Sequence, residues 1–170
     1  MGGGLGLGHV MDALSELERL KIDLQILVVT GANVSLWSEV NEFAQKSHHK
    51  IQVWGYSHNV QELMSVATIL ISKPGALTIS EALASGLPMI LHNPIPGPEV
   101  ENAKFVAEQG AAVWVEYEET LSAVVREMIS DKTILPRLIR GCKKLAKPYA
   151  AEIIVDDINK QYPLGEEVKK

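Results

Sequence analysis

The residues best placed by type and spacing to do chemistry lie in one run, Ser72-Lys73-Pro74-Gly75-Ala76-Leu77-Thr78-Ile79-Ser80-Glu81. An apolar stretch ends at Ser72, Pro74-Gly75 turns the chain, and helical spacing begins between Ala76 and Thr78. Such a turn sits at the carboxyl end of a parallel strand, where open α/β sheets bind their ligands. The N–H groups of Ala76, Leu77 and Thr78, with the Thr78 hydroxyl, would face a diphosphate, and the helix dipole adds about 0.3–1 kcal/mol for a nearby anion. Glu81 follows one turn later. A carboxylate only accepts hydrogen bonds, which suits it to two vicinal ribose hydroxyls. The same pair also reads as plain helix punctuation, with Thr78 as cap and Glu81 closing a capping box.

A second cluster, His92-Asn93-Pro94-Ile95-Pro96-Gly97-Pro98-Glu99-Val100-Glu101-Asn102, repeats the pattern of strand end, stiff loop and helix start. Its prolines restrict the loop, so it offers a preorganised surface to the same crevice. Glu99, Glu101 and Asn102 could receive sugar hydroxyls, although Glu99 and Glu101 also complement a helix dipole as first-turn carboxylates. A third candidate is Gly2-Gly3-Gly4-Leu5-Gly6-Leu7-Gly8 ahead of a helix beginning near His9 or Val10, which would open backbone amides to a phosphate. It matches G-x-G-x-x-G in no register, and no Gly-Lys dipeptide supports a Walker-type loop. It reads equally as a flexible arm, or as a strand-to-helix turn without its strand. His9 and His92 fall where they could approach a ligand, whereas His48-His49 reads as a solvated loop. Trp37, Trp54 and Trp114 read as core or half-buried anchors. No histidines, cysteines and carboxylates fall at zinc-site spacing, and no metal is expected.

These residues need elements to hold them. Apolar β-branched runs at 23–30, 50–54, 68–72, 88–92 and 111–115 alternate with helical spacing near 10–20, 35–47, 59–66, 78–85 and 99–109. Near-continuous apolar strands are covered on both faces, and strand alternating with helix implies right-handed crossovers. The fold class is therefore α/β, a doubly wound parallel sheet. Helices near 118–130, 133–146 and 150–160 follow as a cap. One domain is expected over 1–162, with 163–170 as a flexible tail.

The bulk numbers exclude other classes. A chain of 170 residues, 46% hydrophobic, can build a core. With 16 basic against 21 acidic residues and net charge −5, it lacks the clustered basic face that nucleic acid requires. The lone Cys142 cannot form an internal disulfide, fits a reducing compartment and reads as a buried apolar residue. The most apolar stretches, 24–38 and 82–98, are interrupted by Gly or Asn, the second also by Pro, and neither reaches the roughly 20 apolar residues of a membrane span.

Taken together, the run 72–88 followed by 93–103 resembles the donor-binding half of glycosyltransferase family 28, above all the processive diacylglycerol glycosyltransferases and monogalactosyldiacylglycerol synthases. The resemblance covers about residues 1–117. It implies one Rossmann-like half of a GT-B fold that binds a UDP-sugar, while an N-terminal half binds a lipid acceptor. It further implies inverting transfer of a hexose without a metal or other cofactor. Carried over, Gly75, Ala76, Leu77 and Thr78 would meet the phosphates and Glu81 the ribose. Gly55, Tyr56 and Ser57 would read uracil, Gly3 and Gly4 would close on the diphosphate, and Lys73 would add charge there. Pro98, Glu99 and Asn102 would lie beside the sugar. Members of the galactolipid type often carry Gly-Gly and Gln-Glu where this chain has Gly75-Ala76 and Pro98-Glu99, so the sugar stays open. The isolated chain is expected to be inactive without an N-terminal half, supplied by its own chain or by a partner subunit, and no general base is named in it. It is expected in the cytoplasm, on a membrane surface at most. Two other readings are half of a UDP-sugar epimerase and a non-catalytic nucleotide-sugar-binding subunit.

Overall fold

The structure, a computed structural model, describes residues 9–116 and 120–162. Strand and helix alternate as expected: α1 (Val10–Leu17), β1 (Gln25–Val29), α2 (Val34–Ala44), β2 (Lys50–Trp54), α3 (Val60–Val66), β3 (Leu70–Ser72), α4 (Ala76–Ala84), β4 (Met89–Leu91), α5 (Pro98–Glu108) and β5 (Ala112–Trp114). Three helices follow, α6 (Leu121–Ser130), α7 (Ile134–Leu145) and α8 (Ala150–Gln161). Asn33 begins α2 by accepting the Leu36 amide at 2.9 Å, and Thr120 begins α6 by accepting that of Ala123 at 3.3 Å.

All strand pairs are parallel, and they form two ladders. β1 pairs with β2, from Gln25 opposite Lys50 to Val29 opposite Trp54. β3, β4 and β5 form the second ladder, with Leu70 opposite Met89 and Met89 opposite Ala112. One continuous sheet was the expectation; among the described residues β1 and β3 are not hydrogen-bonded to each other.

The helices wind over both faces. Leu70, Met89 and Leu91 point into a core with Met64 of α3, Ile79 of α4 and Val106 of α5. Ile90, between them in sequence, points the other way, into a core with Leu17 of α1 and Val124 and Met128 of α6. This alternation explains why β4 reads as an unbroken apolar run: it is buried on both sides. β2 alternates instead, with Lys50, Gln52 and Trp54 exposed.

α6 and α7 cap the domain as expected. α7 lies so close to the turn after α5 that a Cβ on Gly141 would come within 2.1 Å of the Gly110 carbonyl oxygen. Cys142 beside it is fully buried. α8 departs from the expected cap, because it buries none of its residues and leaves Ile153, Ile154 and Ile158 exposed.

Two expectations about single residues change. His49 is buried rather than solvated, its Nε2 lying 2.9 Å from the Leu17 carbonyl oxygen. Trp37 and Trp54 are exposed, at 44% and 43%.

Candidate functional site

Because every strand is parallel, the loops after β1, β2, β3 and β4 open at one edge. Gly75 is the N-cap residue of α4, so the helix starts at Ala76 and Thr78 already lies inside its first turn. Thr78 therefore does not cap this helix, and no capping box with Glu81 forms. The first amide to reach a carbonyl within this turn is that of Ile79, donating to Gly75 O at 3.0 Å. The N–H groups of Ala76, Leu77 and Thr78 are left pointing out of the helix end, as geometry requires of any first turn. Ala76, Leu77 and Glu81 are exposed and Thr78 is half-buried. Among the described residues, no hydrogen bond or ion pair holds the Glu81 carboxylate, so it stands open to an incoming hydroxyl.

The adjacency of β3 and β4 brings their following loops together. Lys73 Nζ donates to Glu99 Oε1 in an ion pair that spans the two loops. Glu99 Oε2 also accepts the Ile95 amide at 2.9 Å, which ties the proline loop to the first turn of α5. Burial alone would raise the Glu99 carboxyl, but the Ile95 amide and then the Lys73 ammonium hold it below the ordinary carboxylate value. Asn102, one turn further along α5, donates to the Pro74 carbonyl oxygen at 3.1 Å. Gly75 lies beneath this bridge, where a Cβ would sit 3.9 Å from Glu99 Oε1 and 4.0 Å from Lys73 Nζ. Lys73, Gly75, Glu99 and Asn102 thus form one interlocked turn.

The loop itself is held in unusual backbone. Asn93 has φ 47° and Gly97 has φ 99°, and Gly97 directly precedes Pro98, the first residue of α5. A side chain at Gly97 would be strained at that angle. Pro98 itself is exposed and makes the turn into the helix. His92 sits at the base of the loop, its Nδ1 3.0 Å from Asn93 Nδ2. Burial pushes its imidazole down to about 4, so at neutral pH it is uncharged.

The predicted base-reading residues sit one ladder away. Gly55 approaches Gly31 and Trp37, Tyr56 is 65% exposed with its ring 4.9 Å from that of His58, and Ser57 accepts the Asn59 amide at 3.2 Å. No described contact joins Tyr56 or Ser57 to the Gly75 turn. Trp54 and Lys73 do line the same cavity, together with His9 and His92. Gly3 and Gly4 lie outside the described residues.

The Lys73–Glu99 bridge and the Ile95 and Pro74 contacts were not foreseen. The only signal for the bridge was a pair of opposite charges in corresponding places after neighbouring strands. His9 makes a local contact to Asp12 at 2.7 Å. Glu18, His48 and His49 bring ligand-type atoms within 4.8 Å of one another. Glu18 Oε1 is already engaged by His48 Nδ1 at 2.7 Å, and the cluster clasps the end of α1 to the approach to β2.

Parallel strands wound on both faces by helices, with helix amino ends and stiff loops at the carboxyl edge, define a Rossmann-like half of a GT-B fold. Residues 5–152 match the model of the glycosyltransferase family 28 C-terminal domain. The chain belongs to that family. It is 35% identical over 161 residues to the processive diacylglycerol beta-glucosyltransferase of Bacillus licheniformis, covering 95% of this chain and 42% of the relative. The Bacillus subtilis enzyme of the same name is 35% identical over 138 residues, 81% of this chain and 36% of the relative. The chain thus spans less than half the length of these relatives. Among solved structures, Acinetobacter baumannii MurG superposes with a TM-score of 0.75 at 24% identity, over 94% of this chain and 48% of that one. The spinosyn rhamnosyltransferase SpnG superposes with a TM-score of 0.60 at 14% identity, over 91% and 41%. Among the described residues no helix is long and apolar enough to cross a membrane.

Proposed function

We propose that this chain is the donor half of an inverting glycosyltransferase, holding a UDP-sugar whose hexose passes to a lipid acceptor on an N-terminal half. One observation carries this reading. The amides of Ala76, Leu77 and Thr78 open at the carboxyl edge of the sheet with an unengaged carboxylate, Glu81, one turn further along the same helix.

The diphosphate takes the helix amino end, where preorganised N–H dipoles stabilise the charge that develops as UDP departs. Lys73 stands beside the turn, already oriented by Glu99, and adds a positive charge. Glu81 accepts the ribose hydroxyls. Gly55, Tyr56 and Ser57 border the base, and Pro98, Glu99 and Asn102 border the sugar. The helix dipole and Lys73 supply the charge stabilisation, so no metal or other cofactor is required. A beta-linked product from an alpha-linked nucleotide sugar is what inversion yields, and the relatives' names favour glucose and diacylglycerol. The group that activates the acceptor hydroxyl belongs to the N-terminal half. Such an enzyme works at the cytoplasmic face of a membrane.

Calorimetric titration with UDP, UDP-glucose, UDP-galactose and UDP-N-acetylglucosamine, with ADP and GDP as controls and EDTA present, tests this. Selective heat from the uridine nucleotides is expected, and glucosyl transfer only once an N-terminal half is supplied. Equal binding of ADP, or none of UDP, would sink the reading.

A further inference from the structure

At the opposite edge of the sheet from the Gly75 turn, three side chains with metal-ligating atoms converge where α1 ends and the chain enters β2. Glu18, the C-cap residue of α1, and His48 and His49, just ahead of Lys50, bring one such atom each to within 4.8 Å of one another. Spacing along the chain concealed this, since Glu18 and His48 stand 30 residues apart. Both imidazoles are oriented in the same way. His48 Nε2 lies 3.0 Å from the Leu20 carbonyl oxygen, and His49 Nε2 lies 2.9 Å from that of Leu17. A carbonyl only accepts, so each Nε2 carries a hydrogen and each Nδ1 is the nitrogen left for another partner. Histidines that bind metals are held in this manner, the second ring N–H donating to a backbone carbonyl.

The two Nδ1 atoms are placed differently. His48 Nδ1 lies 2.7 Å from Glu18 Oε1, so a proton sits between them and His48 donates from both nitrogens. His49 is only 5% exposed, and among the described residues no donor reaches its buried Nδ1. A buried acceptor without a donor is destabilising, and a cation would satisfy it. Glu18 is itself steadied, its Oε2 accepting from the Ser47 hydroxyl at 2.6 Å and its Oε1 from the His48 amide at 3.1 Å. The chain bends at His48 and His49 before β2 begins, which turns both rings towards the same helix end with their centroids 3.9 Å apart.

We propose that Glu18, His48 and His49 bind a zinc-class divalent cation through one carboxylate oxygen and both Nδ1 nitrogens, with water as the fourth ligand. Two imidazole nitrogens and one carboxylate suit zinc, whereas calcium and magnesium take oxygens. The cation takes the place of the proton between His48 and Glu18, and that proton leaves to solvent. Tetrahedral ligands about 2.0–2.2 Å from zinc stand about 3.4 Å apart, so separations of up to 4.8 Å must close by about 1.4 Å at most. His48 and Glu18 have the room to turn, their side chains being 47% and 29% exposed. The bound cation pins the end of α1 to the entry of β2. Lying at the amino edge of the sheet, it takes no part in holding a nucleotide, and this inference is independent of nucleotide binding.

Calorimetric titration of the 170-residue chain with zinc chloride, after treatment with EDTA and dialysis, tests it. One zinc ion per chain is expected, with a thermal midpoint that rises with zinc concentration. Glu18→Gln and His48→Gln should each weaken zinc binding at least tenfold, the loss that even the outer partners of a ligand produce. His58→Gln should leave it unchanged. Should Glu18→Gln or His48→Gln fail to fold, the ring nitrogen resonances of the parent chain decide. Zinc should shift Nδ1 of His48 and His49 and leave the nitrogens of His9 and His58 where they were. The proposal is overturned if zinc does not bind, if both variants bind it as tightly as the parent, or if the shifts fall on other histidines.

Discussion

Glu81 and His92 show how position decides what an ionisable group can do. Glu81 projects from α4 without a described partner, so its replacement removes nothing from the fold and any effect belongs to ligand. Glu81→Ala should weaken UDP binding by about 1–3 kcal/mol, the loss expected when a charged hydrogen-bonding partner is removed. Its thermal midpoint should stay at that of the parent chain. An unchanged dissociation constant by calorimetry would exclude the ribose role. His92 acts on stability instead. Above pH 6.5 its imidazole is neutral in the folded and unfolded chain alike. Below that, the unfolded chain takes up a proton that burial denies the folded one until about pH 4. Stability should therefore fall as pH drops from 6.5 towards 4. His92→Asn should flatten that fall in denaturant titrations. Glu99 and Glu18, both held below the ordinary carboxylate value, add their losses nearer the acid end. His48 is raised first by its bond to the Leu20 carbonyl and then by Glu18. It stabilises below pH 6.5, loses that contribution as pH rises through its folded value, and so does not mimic His92.

Elements meet at distances that single residues set. Alanine is the better helix former than glycine by about 1 kcal/mol, so an exposed Gly141→Ala would stabilise α7. Here the added Cβ would meet the Gly110 carbonyl oxygen at 2.1 Å and the Ala111 nitrogen at 2.9 Å, both backbone atoms with little room to yield. Overpacking costs about 1–3 kcal/mol and wins. Gly141→Ala should lower the denaturant midpoint, and an unchanged midpoint would mean that α7 stands further from β5 than the structure has it. Most elements were legible beforehand, because Gly31, Gly55, Pro74 and Asn93 stop the first four apolar runs close to where their strands end. β3, β4 and β5 shrink to three residues each, since pairing ends where the turns begin. The strand-to-helix turn at Gly75 was readable from local residue types. The Lys73–Glu99 bridge was not, because its partners meet only once β3 and β4 lie side by side. His49 looked solvated beside His48 and Lys50, and only the approach of α1 supplies the Leu17 carbonyl that lets it be buried.

At the scale of the whole molecule, the site is shared among loops that four strands hold at one edge. Strand order is a property of every partner present, so the division into two ladders among the described residues could not be read from runs of apolar residues. The two cores on either side meet at α7, which sends Leu138 into one and Cys142 into the other. The Cys142 thiol lies 3.4 Å from the Ala111 carbonyl oxygen and 3.5 Å from that of Leu87, and burial pushes it up to about 11. A sulfur kept protonated and out of reach cannot be alkylated while the chain is closed. Each molecule that reacts with iodoacetamide must first have parted α7 from the sheet, so the lone thiol keeps time on that event. Labelling should slow when UDP is added in proportion to the sites filled. A rate indifferent to UDP would mean that α7 loosens without disturbing the edge where nucleotide is held.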